Sequence, residues 1–471
     1  MENKHNFMEK ENVTKLIVKF SFPAMIGMFV NALYNVVDRI YIGNIKDIGH
    51  LGITGIGVTF PVVILIFSFA LLIGIGAAAC MSIRLGRKKL DDAEIFLGRA
   101  IFLAIAVSIV LMSVIYLFMN KIIMMIGGSE ETFFYAKSYL KYLALGIPAV
   151  IIGNTLNAAI RSDGSPRMAM TTLLLGAITN IVLDPIFIFY FEMGIKSAAI
   201  ATIISQYISA AWTVYYFSSD LGKMKLRKKY ITFEFSKIRE ICTSGSSPFA
   251  IQIGFSLVTY TLNSVLKKYG GDMSIGAMAI IQSIITFLTM PIFGINQGLQ
   301  PILGYNYGAK KYMRVKEALF KGILGATIMC VVGFLLSQFF SHYLVRVFTD
   351  NKALENLAIY GLKRYTIALP IIGTQIIASA YFQAIGKPKM SLLISSSRQI
   401  LFTIPALHIL SKMFGIMGIW FATPIADTLS TVITYFLLRR EIKSLKKLEN
   451  KEQKKINERK ENIEIKMGIE S

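Results

Sequence analysis

Asp38 stands in a long apolar stretch of the chain and shares one helix face with other polar side chains. Asn31, Tyr34 and Asn35 precede it at spacings of seven, four and three residues. A charged residue at the centre of a bilayer costs at least about 2.5–3.5 kcal/mol, so such residues tend to be functional. The alternative is a structural ion pair with Arg39, which is disfavoured because neighbouring side chains on a helix point about 100° apart. We therefore expect Asp38 to face the interior of a helix bundle.

A second carboxylate, Asp184, stands in another apolar stretch. Asn180 precedes it by one helical turn, and Pro185 follows it and leaves one helical carbonyl free. Two carboxylates in a desolvated pocket cannot both stay charged cheaply, so Asp38 and Asp184 together predict a site for a cation or a proton. Further oxygen ligands are offered by other apolar stretches, at Asn154, Asn157 and Thr202. Oxygen ligands suit a hard cation or a proton rather than a transition metal.

The second half of the chain lacks this pair of aspartates. The positions that match them, by an internal repeat described below, are Asn263 and the apolar residues near 404–406. Asp427 is a third acidic residue well inside an apolar stretch, and we expect it to be structural and to pair with Arg398. The sequence thus predicts one titratable site, in the N-terminal half.

Neutral polar side chains follow helical spacing in three stretches of the second half. Hydrogen bonding between helices and the lining of a water-filled cleft explain such stripes equally well. Under the second explanation, a substrate cleft is lined by Asn31 of the first half and by Gln252, Ser256, Gln282, Gln297, Gln300 and Gln375 of the second.

The residues of common enzyme and metal sites form no recognisable motif. The three cysteines and four histidines are scattered, and the sequence contains no HExxH, P-loop or GxSxG motif. We therefore expect no enzyme activity, no cofactor and no transition metal.

The elements that position these side chains must be membrane helices. Hydrophobic residues make up 54% of the 471 residues, and charged residues make up 17%, below the roughly 25% of soluble domains. The mean hydropathy is +0.57. A net charge of +22 would suggest nucleic-acid binding in a soluble protein, but here Lys and Arg concentrate in short loops and in the C-terminal tail. The expected partner is therefore the lipid bilayer and not nucleic acid.

Twelve apolar stretches are long enough to cross about 30 Å of hydrocarbon, which takes around 20 residues per helix. They lie near residues 16–43, 52–83, 96–119, 136–160, 168–191, 195–218, 240–267, 275–305, 316–341, 357–384, 391–411 and 415–438. Every second loop between them is basic, and this bias predicts that those loops and both termini lie in the cytosol. The chain is then a multi-pass protein of the cell membrane.

Short motifs recur at an offset of about 222 residues and reveal an internal repeat. The period covers six helices, an even number, so both copies face the same way across the membrane. The recurring pairs are Gly86-Arg87-Lys88-Lys89 with Gly308-Ala309-Lys310-Lys311, Pro148 with Pro370, Gly164-Ser165-Pro166 with Gly386-Lys387-Pro388, and Ala201-Thr202 with Ala422-Thr423.

These observations predict an all-α integral membrane protein with twelve transmembrane helices in two six-helix lobes, related by a parallel pseudo-two-fold repeat. A cleft between the lobes is the natural place for a substrate, and rocking of the lobes would give alternating access. The predicted division is an N-terminal lobe with the cation site at 1–218, a cytoplasmic linker at 219–238, a C-terminal lobe at 239–440 and a charged cytoplasmic tail at 441–471. We expect the tail to be a solvated helix or disordered.

This arrangement resembles the multidrug and toxic compound extrusion (MATE) family. The resemblance rests on the two sets of six helices in a parallel repeat and on three short motifs. These are Tyr-x-x-x-Asp ending at Asp38, Asn-x-x-x-Asp-Pro ending at Pro185, and Arg-Ser-Asp-Gly-Ser-Pro at 161–166. The resemblance covers about residues 12–440. The branch that the chain resembles most is the bacterial DinF-like and MepA-like group.

The resemblance implies a coupling-cation site in the N-terminal lobe and a bend of the first helix near Pro23 that couples protonation to substrate release. Another branch of the family uses acidic residues on helices 7 and 10, which this chain lacks within those spans. The implied cation-binding residues are Asp38, Asn180, Asp184 and Thr202, with Tyr34, Asn154 and Asn157 in the surrounding network.

The function implied is a sodium- or proton-coupled antiporter that exports amphipathic, often cationic, drugs and toxic organic compounds. The alternative is a flippase for a lipid-linked or polyprenyl-linked precursor, which the few deep basic residues (Arg39, Arg364 and Arg398) disfavour. A membrane-embedded enzyme is a third possibility, without a supporting motif. The sequence leaves open the substrate, the choice between sodium and protons, and the oligomeric state, with a monomer as the simplest expectation.

Overall fold

The first half of the molecule consists of one short helix followed by six long ones. The computed structural model describes residues 7–43, 49–126, 130–191 and 195–469. The helices are α1 (Phe7–Lys10), α2 (Val13–Gly43), α3 (Gly49–Gly86), α4 (Leu90–Met125), α5 (Glu130–Ser162), α6 (Pro166–Pro185) and α7 (Ile195–Ser218). A π-helical turn, Ile186–Tyr190, extends α6.

The second half begins after an irregular connection that contains one 3₁₀ turn, Lys228–Tyr230. A π-helical segment, Ser397–Thr403, joins two of its helices into one crossing. The helices are α8 (Phe235–Gly308), α9 (Tyr312–Phe339), α10 (Ser341–Arg346), α11 (Lys352–Tyr365), α12 (Leu369–Ala384), α13 (Pro388–Ser396), α14 (Ile404–Phe414) and α15 (Ile416–Ile469).

The described residues contain twelve membrane crossings. Ten helical segments are long and apolar enough to cross a bilayer, and the pair α11 and α12, bent by 56°, supplies an eleventh crossing. One of the ten, α8, has 74 residues, so at 1.5 Å per residue it is about 110 Å long, more than three bilayer thicknesses. It is interrupted at Gly271 and holds two crossings, which brings the total to twelve and confirms the predicted fold.

The internal repeat appears as two pairs of matching turns. Lys88 and Lys310, which are 222 residues apart, both adopt a positive φ, of 61° and 59°. Gly164 and Gly386, also 222 residues apart, have φ of 88° and 76°. A positive φ is uncommon outside glycine, so its recurrence at the offset found in the sequence shows that the two halves share one backbone plan.

The connection between the halves is fastened to the first half by buried carboxylates. Asp163 is fully buried and accepts hydrogen bonds from the backbone N–H groups of Lys223 (2.7 Å) and Met224 (3.0 Å). Glu94, which is 1% exposed, pairs with Arg227 at 2.6 Å. This connection therefore belongs structurally to the first half.

Glycines bring the two halves into backbone contact on the side of the turns that follow α3 and α8. A methyl group on Gly308 would overlap the carbonyl oxygen of Ile83, and one on Gly86 would overlap the carbonyl oxygen of Tyr305. Any cleft between the halves is closed on this side, because no side chain separates the two backbones.

The charged tail is helical where the structure describes it, because α15 continues without a break to Ile469. Glu441 pairs with Lys387 at 2.6 Å, and Glu452 pairs with Lys310 at 3.2 Å. The first part of the tail therefore packs on the second half and is only partly solvated. Residues 1–6, the segments 44–48, 127–129 and 192–194, and the last two residues, which the predicted domain boundaries include, lie outside the described residues, as does the side chain of Arg39.

Candidate cation site

Asp38 on α2 and Asp184 on α6 meet inside the first half. Their carboxyl groups lie close enough to interact directly with one another. Asp184 is fully buried and Asp38 is partly buried. Two carboxyl groups held this close together can share one proton, and a bound metal cation could take the place of that proton.

Asn180 connects the pair to α7. Its Nδ2 lies 3.4 Å from Asp184 Oδ1 and 3.4 Å from Thr202 Oγ1. Asn180 Oδ1 and Asp184 Oδ2 are buried and receive no hydrogen bond from an N–H or hydroxyl donor in the part of the chain that the structure describes. Buried oxygens with free lone pairs are suited to a proton or a hard cation.

Tyr139 on α5 borders the pocket and was not singled out by the sequence. It is buried, and it lies close enough to interact electrostatically with Asp38, Tyr34 and Asp184. The sequence carried only a weak signal, because Tyr139 is one of three tyrosines within eight residues of the same helix. We define the first-half pocket as Asp38, Tyr139, Asn180, Asp184 and Thr202.

The backbone next to Asp184 departs from a regular helix. Pro185 lacks an N–H group, so the carbonyl of Ile181 loses its usual helical partner. The chain continues as the π-helical turn Ile186–Tyr190. Turns of this kind are frequent at functional sites, and this one begins two residues after Asp184.

Asn157 does not belong to the first-half pocket, contrary to the expectation from the sequence. Its Nδ2 donates to the carbonyl of Ala169 at 2.7 Å, and its Oδ1 accepts from Arg161. Ala169 lies eleven residues before Asn180 on α6, about 16 Å along the helix axis, so Asn157 is too far from the pocket. Asn154, closer along α5, donates to a carbonyl of its own helix at 2.8 Å.

The side chains expected to line a substrate cleft fall into two groups. Gln297, at 3.5 Å from the sulfur of Met28, bridges the two halves. Gln375 is buried and donates to Ser430 within the second half, and Gln300 is also buried, so these two glutamines differ from the expectation of an open cleft. Partly exposed positions, which an open cleft would require, are found at Asn31, Gln252, Ser256, Gln282 and Gln297.

An ion pair takes the place of a carboxylate pair in the second half. Arg398 donates from Nε to Asp427 Oδ1 at 2.7 Å, which confirms the predicted pairing. Among the described residues no group of three or more His, Cys, Asp or Glu side chains could hold a metal ion.

Comparison with known proteins decides the family. The family model described as MatE matches residues 23–186 and 249–409, one segment in each half. The chain belongs to the MATE family. It is therefore a multi-pass membrane protein, as its apolar helices indicate.

The relatives of this MATE chain agree with the branch predicted from its motifs. The multidrug export protein MepA of Staphylococcus aureus (strain MRSA252) is 27% identical over 436 residues, which cover 92% of this chain and 96% of MepA. The MATE multidrug transporter DinF-BH, solved in complex with a ligand, is 37% identical, with a TM-score of 0.85, and the match covers 90% of this chain and 95% of DinF-BH. An outward-facing MATE transporter of the MOP superfamily, 23% identical with a TM-score of 0.88 and 94% of this chain covered, shares the fold.

Proposed function

We propose that this MATE protein exports amphipathic, often cationic, organic compounds and takes up a sodium ion or a proton in exchange. Export is supported by the relatives, since MepA is named a multidrug export protein and DinF-BH is named a multidrug transporter. Ion coupling is supported by one observation, the close approach of the Asp38 and Asp184 carboxyl groups in the first half.

The first-half pocket can couple ion uptake to conformation through its charge. Without a proton or metal ion, both carboxylates would be charged side by side in a largely dry pocket, which is costly. A bound cation removes that repulsion and draws α2 and α6 together. Helix α2 contains Pro23, so a change in its packing can bend the helix at a point where the backbone is already weak.

Substrate would occupy the cleft between the two halves. The basic loops favour a cytosolic location for the side on which Gly86 and Gly308 bring the halves together. The cleft is then closed toward the cytosol and accessible from the opposite side. Fusion of a reporter that fluoresces only in the cytosol to the C-terminus tests this orientation, and a dark fusion protein in the membrane would contradict it.

Transport in proteoliposomes tests the function. A sodium gradient and a pH gradient are imposed separately, and efflux of a cationic dye such as ethidium is followed by fluorescence. We expect the wild type to respond to at least one gradient, and Asp38→Asn and Asp184→Asn to lose at least tenfold of that gradient-driven rate. Each substitution removes a charge that the cation would neutralise.

Asp272→Asn is the matched control, because Asp272 is exposed beside the break in α8. It should transport like the wild type. Unchanged gradient-driven efflux in both pocket variants would overturn the coupling mechanism. Movement of a lipid-linked precursor without any dye efflux would favour a flippase instead.

A further inference from the structure

The second half contains a pocket of related composition, which we define as Gln282, Tyr365, Arg398, Thr423 and Asp427. Asp427 is 1% exposed, and its Oδ2 has no hydrogen-bond partner among the described residues. The Tyr365 hydroxyl interacts with the side chains of Thr423 and Gln282 and lies near both charges of the ion pair.

The internal repeat relates a threonine and a tyrosine of the two pockets. Thr423 matches Thr202 at the offset of 221 that the neighbouring alanines also show. Tyr139 matches position 361, and Tyr365 lies four residues later on the same crossing. The tyrosine of the second half is therefore displaced by one helical turn, about 6 Å, toward the turn at Gly386.

Arg398 lies on the crossing of the second half that corresponds to α6, and Asp427 lies on the crossing that corresponds to α7. In the first half, Asn180 and Thr202 connect these two helices. Asn180 matches position 402, and Arg398 lies four residues before it. Asp427 lies four residues after Thr423. The two crossings run in opposite directions. A step back along the first and a step forward along the second therefore both lead toward the turn at Gly386, which is also the direction in which Tyr365 is displaced. The second-half pocket therefore coincides with the first-half pocket at its threonine, and its tyrosine, arginine and aspartate lie one helical turn nearer to the turn at Gly386 than the matching positions.

The two pockets differ in charge. The first-half pocket brings two carboxylates together, whereas the second-half pocket brings together one carboxylate and one guanidinium. A guanidinium keeps its charge at all accessible pH values and cannot leave, unlike a proton or a metal ion.

We propose that Arg398 is a built-in substitute for the coupling cation in the second half. It neutralises Asp427 permanently, so that cation exchange during the transport cycle is confined to the first half. This inference rests on the proposed function, because it assigns the exchangeable cation to the first-half pocket. A purely structural ion pair is the competing explanation. It predicts that Asp427 keeps a proton permanently once Arg398 is removed, whereas our proposal predicts a second cation that binds and is released reversibly.

Counting bound cations separates the two explanations. The purified full-length protein in nanodiscs is titrated with sodium chloride at constant ionic strength by calorimetry, and proton uptake is measured potentiometrically as a difference between variants. We expect Arg398→Met to bind twice as many cations as the wild type, because Asp427 is then a buried charge without a partner. The double variant Arg398→Met, Asp427→Asn should return to the wild-type number.

Arg364→Met is the matched control. Arg364 is another arginine of the second half, but its guanidinium stacks on the Tyr360 ring at 3.2 Å and donates to the Tyr360 carbonyl, not to a carboxylate. Its loss should leave cation binding unchanged. A folded Arg398→Met that binds no additional cation, or a double variant that keeps the additional cation, would overturn the inference.

A second measurement tests the inference if the Arg398→Met variant fails to fold. Arg398→Ala is prepared with methylguanidinium, which has the chemistry of the missing head group, and its unfolding temperature is followed as the compound is varied. A saturable rise of the unfolding temperature that is absent from the double variant Arg398→Ala, Asp427→Asn supports the inference. An equal rise in both variants, or no rise in Arg398→Ala, contradicts it. Failure of the wild type to bind any cation would instead contradict the proposed function, so the two failures are distinguishable.

Discussion

At the scale of single residues, the molecule solves the same electrostatic problem in two ways. Asp184 faces Asp38 in the first half, and Asp427 faces Arg398 in the second. Burying one uncompensated carboxylate is costly, so each half needs a positive charge. The second half supplies that charge covalently, whereas the residues that we define as the first-half pocket include no basic side chain and can obtain it from a proton or an ion, which can be released again.

Thr202→Val tests whether the hydroxyl of the first-half pocket contributes to cation binding. Valine keeps the shape but removes an oxygen that lies 3.4 Å from Asn180 Nδ2. We expect the apparent affinity for the coupling ion to fall roughly 2- to 10-fold. One hydrogen bond contributes about 0.5–1.5 kcal/mol, which corresponds to a change of this size. Gradient-driven dye efflux at varied ion concentration measures it. Thr202→Ser keeps the hydroxyl and should stay close to the wild type, and an unchanged Val variant would exclude this oxygen.

At the scale of secondary-structure elements, irregular backbone decides where helices end and where they are joined. Gly271 divides α8 into two crossings with φ 64° and ψ −169°, a conformation that is essentially restricted to glycine. The connection after α7 has only one short helical turn of its own and is held by Asp163 and Glu94.

Gly271→Ala should lower stability through backbone conformation alone. No atom lies within 4 Å of the position that a methyl group would take, so only the strained φ contributes, at about 1–3 kcal/mol. We expect a lower apparent unfolding temperature, measured by intrinsic fluorescence in detergent. Gly57→Ala is the control, since Gly57 also has open space around it but lies within α3. It should be neutral or stabilising, and equal effects of the two substitutions would contradict the argument.

Asp163→Asn should loosen the connection between the halves. The carboxylate accepts hydrogen bonds from Tyr216 Oη and from two backbone N–H groups, and an amide would turn an NH₂ group toward some of these donors. We expect the free energy of unfolding to fall by about 2–3 kcal/mol, as when buried hydrogen bonds to a charged group are lost. Asp220→Asn changes the same chemistry at an exposed position of the connection, where Lys225 pairs with it at 3.0 Å. The unfolding temperature, measured by intrinsic fluorescence in detergent, should fall for Asp163→Asn and stay close to the wild type for Asp220→Asn, because exposed ion pairs contribute little. Equal decreases would refute the anchoring role.

At the scale of the whole molecule, the contact of the two halves at Gly86 and Gly308 sets which side of the cleft is closed. This contact is formed by equivalent positions of the repeat, 222 residues apart, and it depends on the absence of side chains. A close backbone contact of this kind is either made or broken, so it suits a two-state rocking motion.

Gly308→Ala should shift the protein away from the conformation described. The added methyl group would overlap the Ile83 carbonyl oxygen, so the halves must separate on this side. Spin labels are attached at Asp91→Cys and Met313→Cys, two exposed positions, one on each half. Pulsed electron paramagnetic resonance then measures the distance between the labels. We expect a larger fraction of long distances than in the labelled parent protein.

Gly325→Ala is the matched control for Gly308→Ala. A methyl group at Gly325 would meet only Ile295 Cδ1 at 3.7 Å, an ordinary contact within the second half. Its distance distribution should match that of the labelled parent. Identical distributions for Gly308→Ala and the parent would contradict the proposed role of this contact.

The fold was accessible from the sequence because each crossing is long, apolar and bounded by charged loops. The aspartates were accessible for the same reason, since a carboxylate is conspicuous where almost every neighbour is apolar. Tyr139 and Asn157 show the limit of this reasoning. Tyrosine and asparagine are common in membrane helices, so their types did not reveal that Tyr139 lies near Asp38, or that Asn157 donates to Ala169, about 16 Å from Asn180 along α6.

The sequence by itself determined the number of crossings, the duplication and the residues that must be compensated inside the membrane, because hydrophobic periodicity and isolated charges are local properties of the chain. Only the tertiary structure decided that Asp38 meets Asp184, that Gln375 turns inward to Ser430, and that Gly86 and Gly308 bring two backbones into contact. These facts depend on the depth and rotation of each helix against its neighbours. Packing across the whole bundle sets both quantities, and no single stretch of sequence contains them.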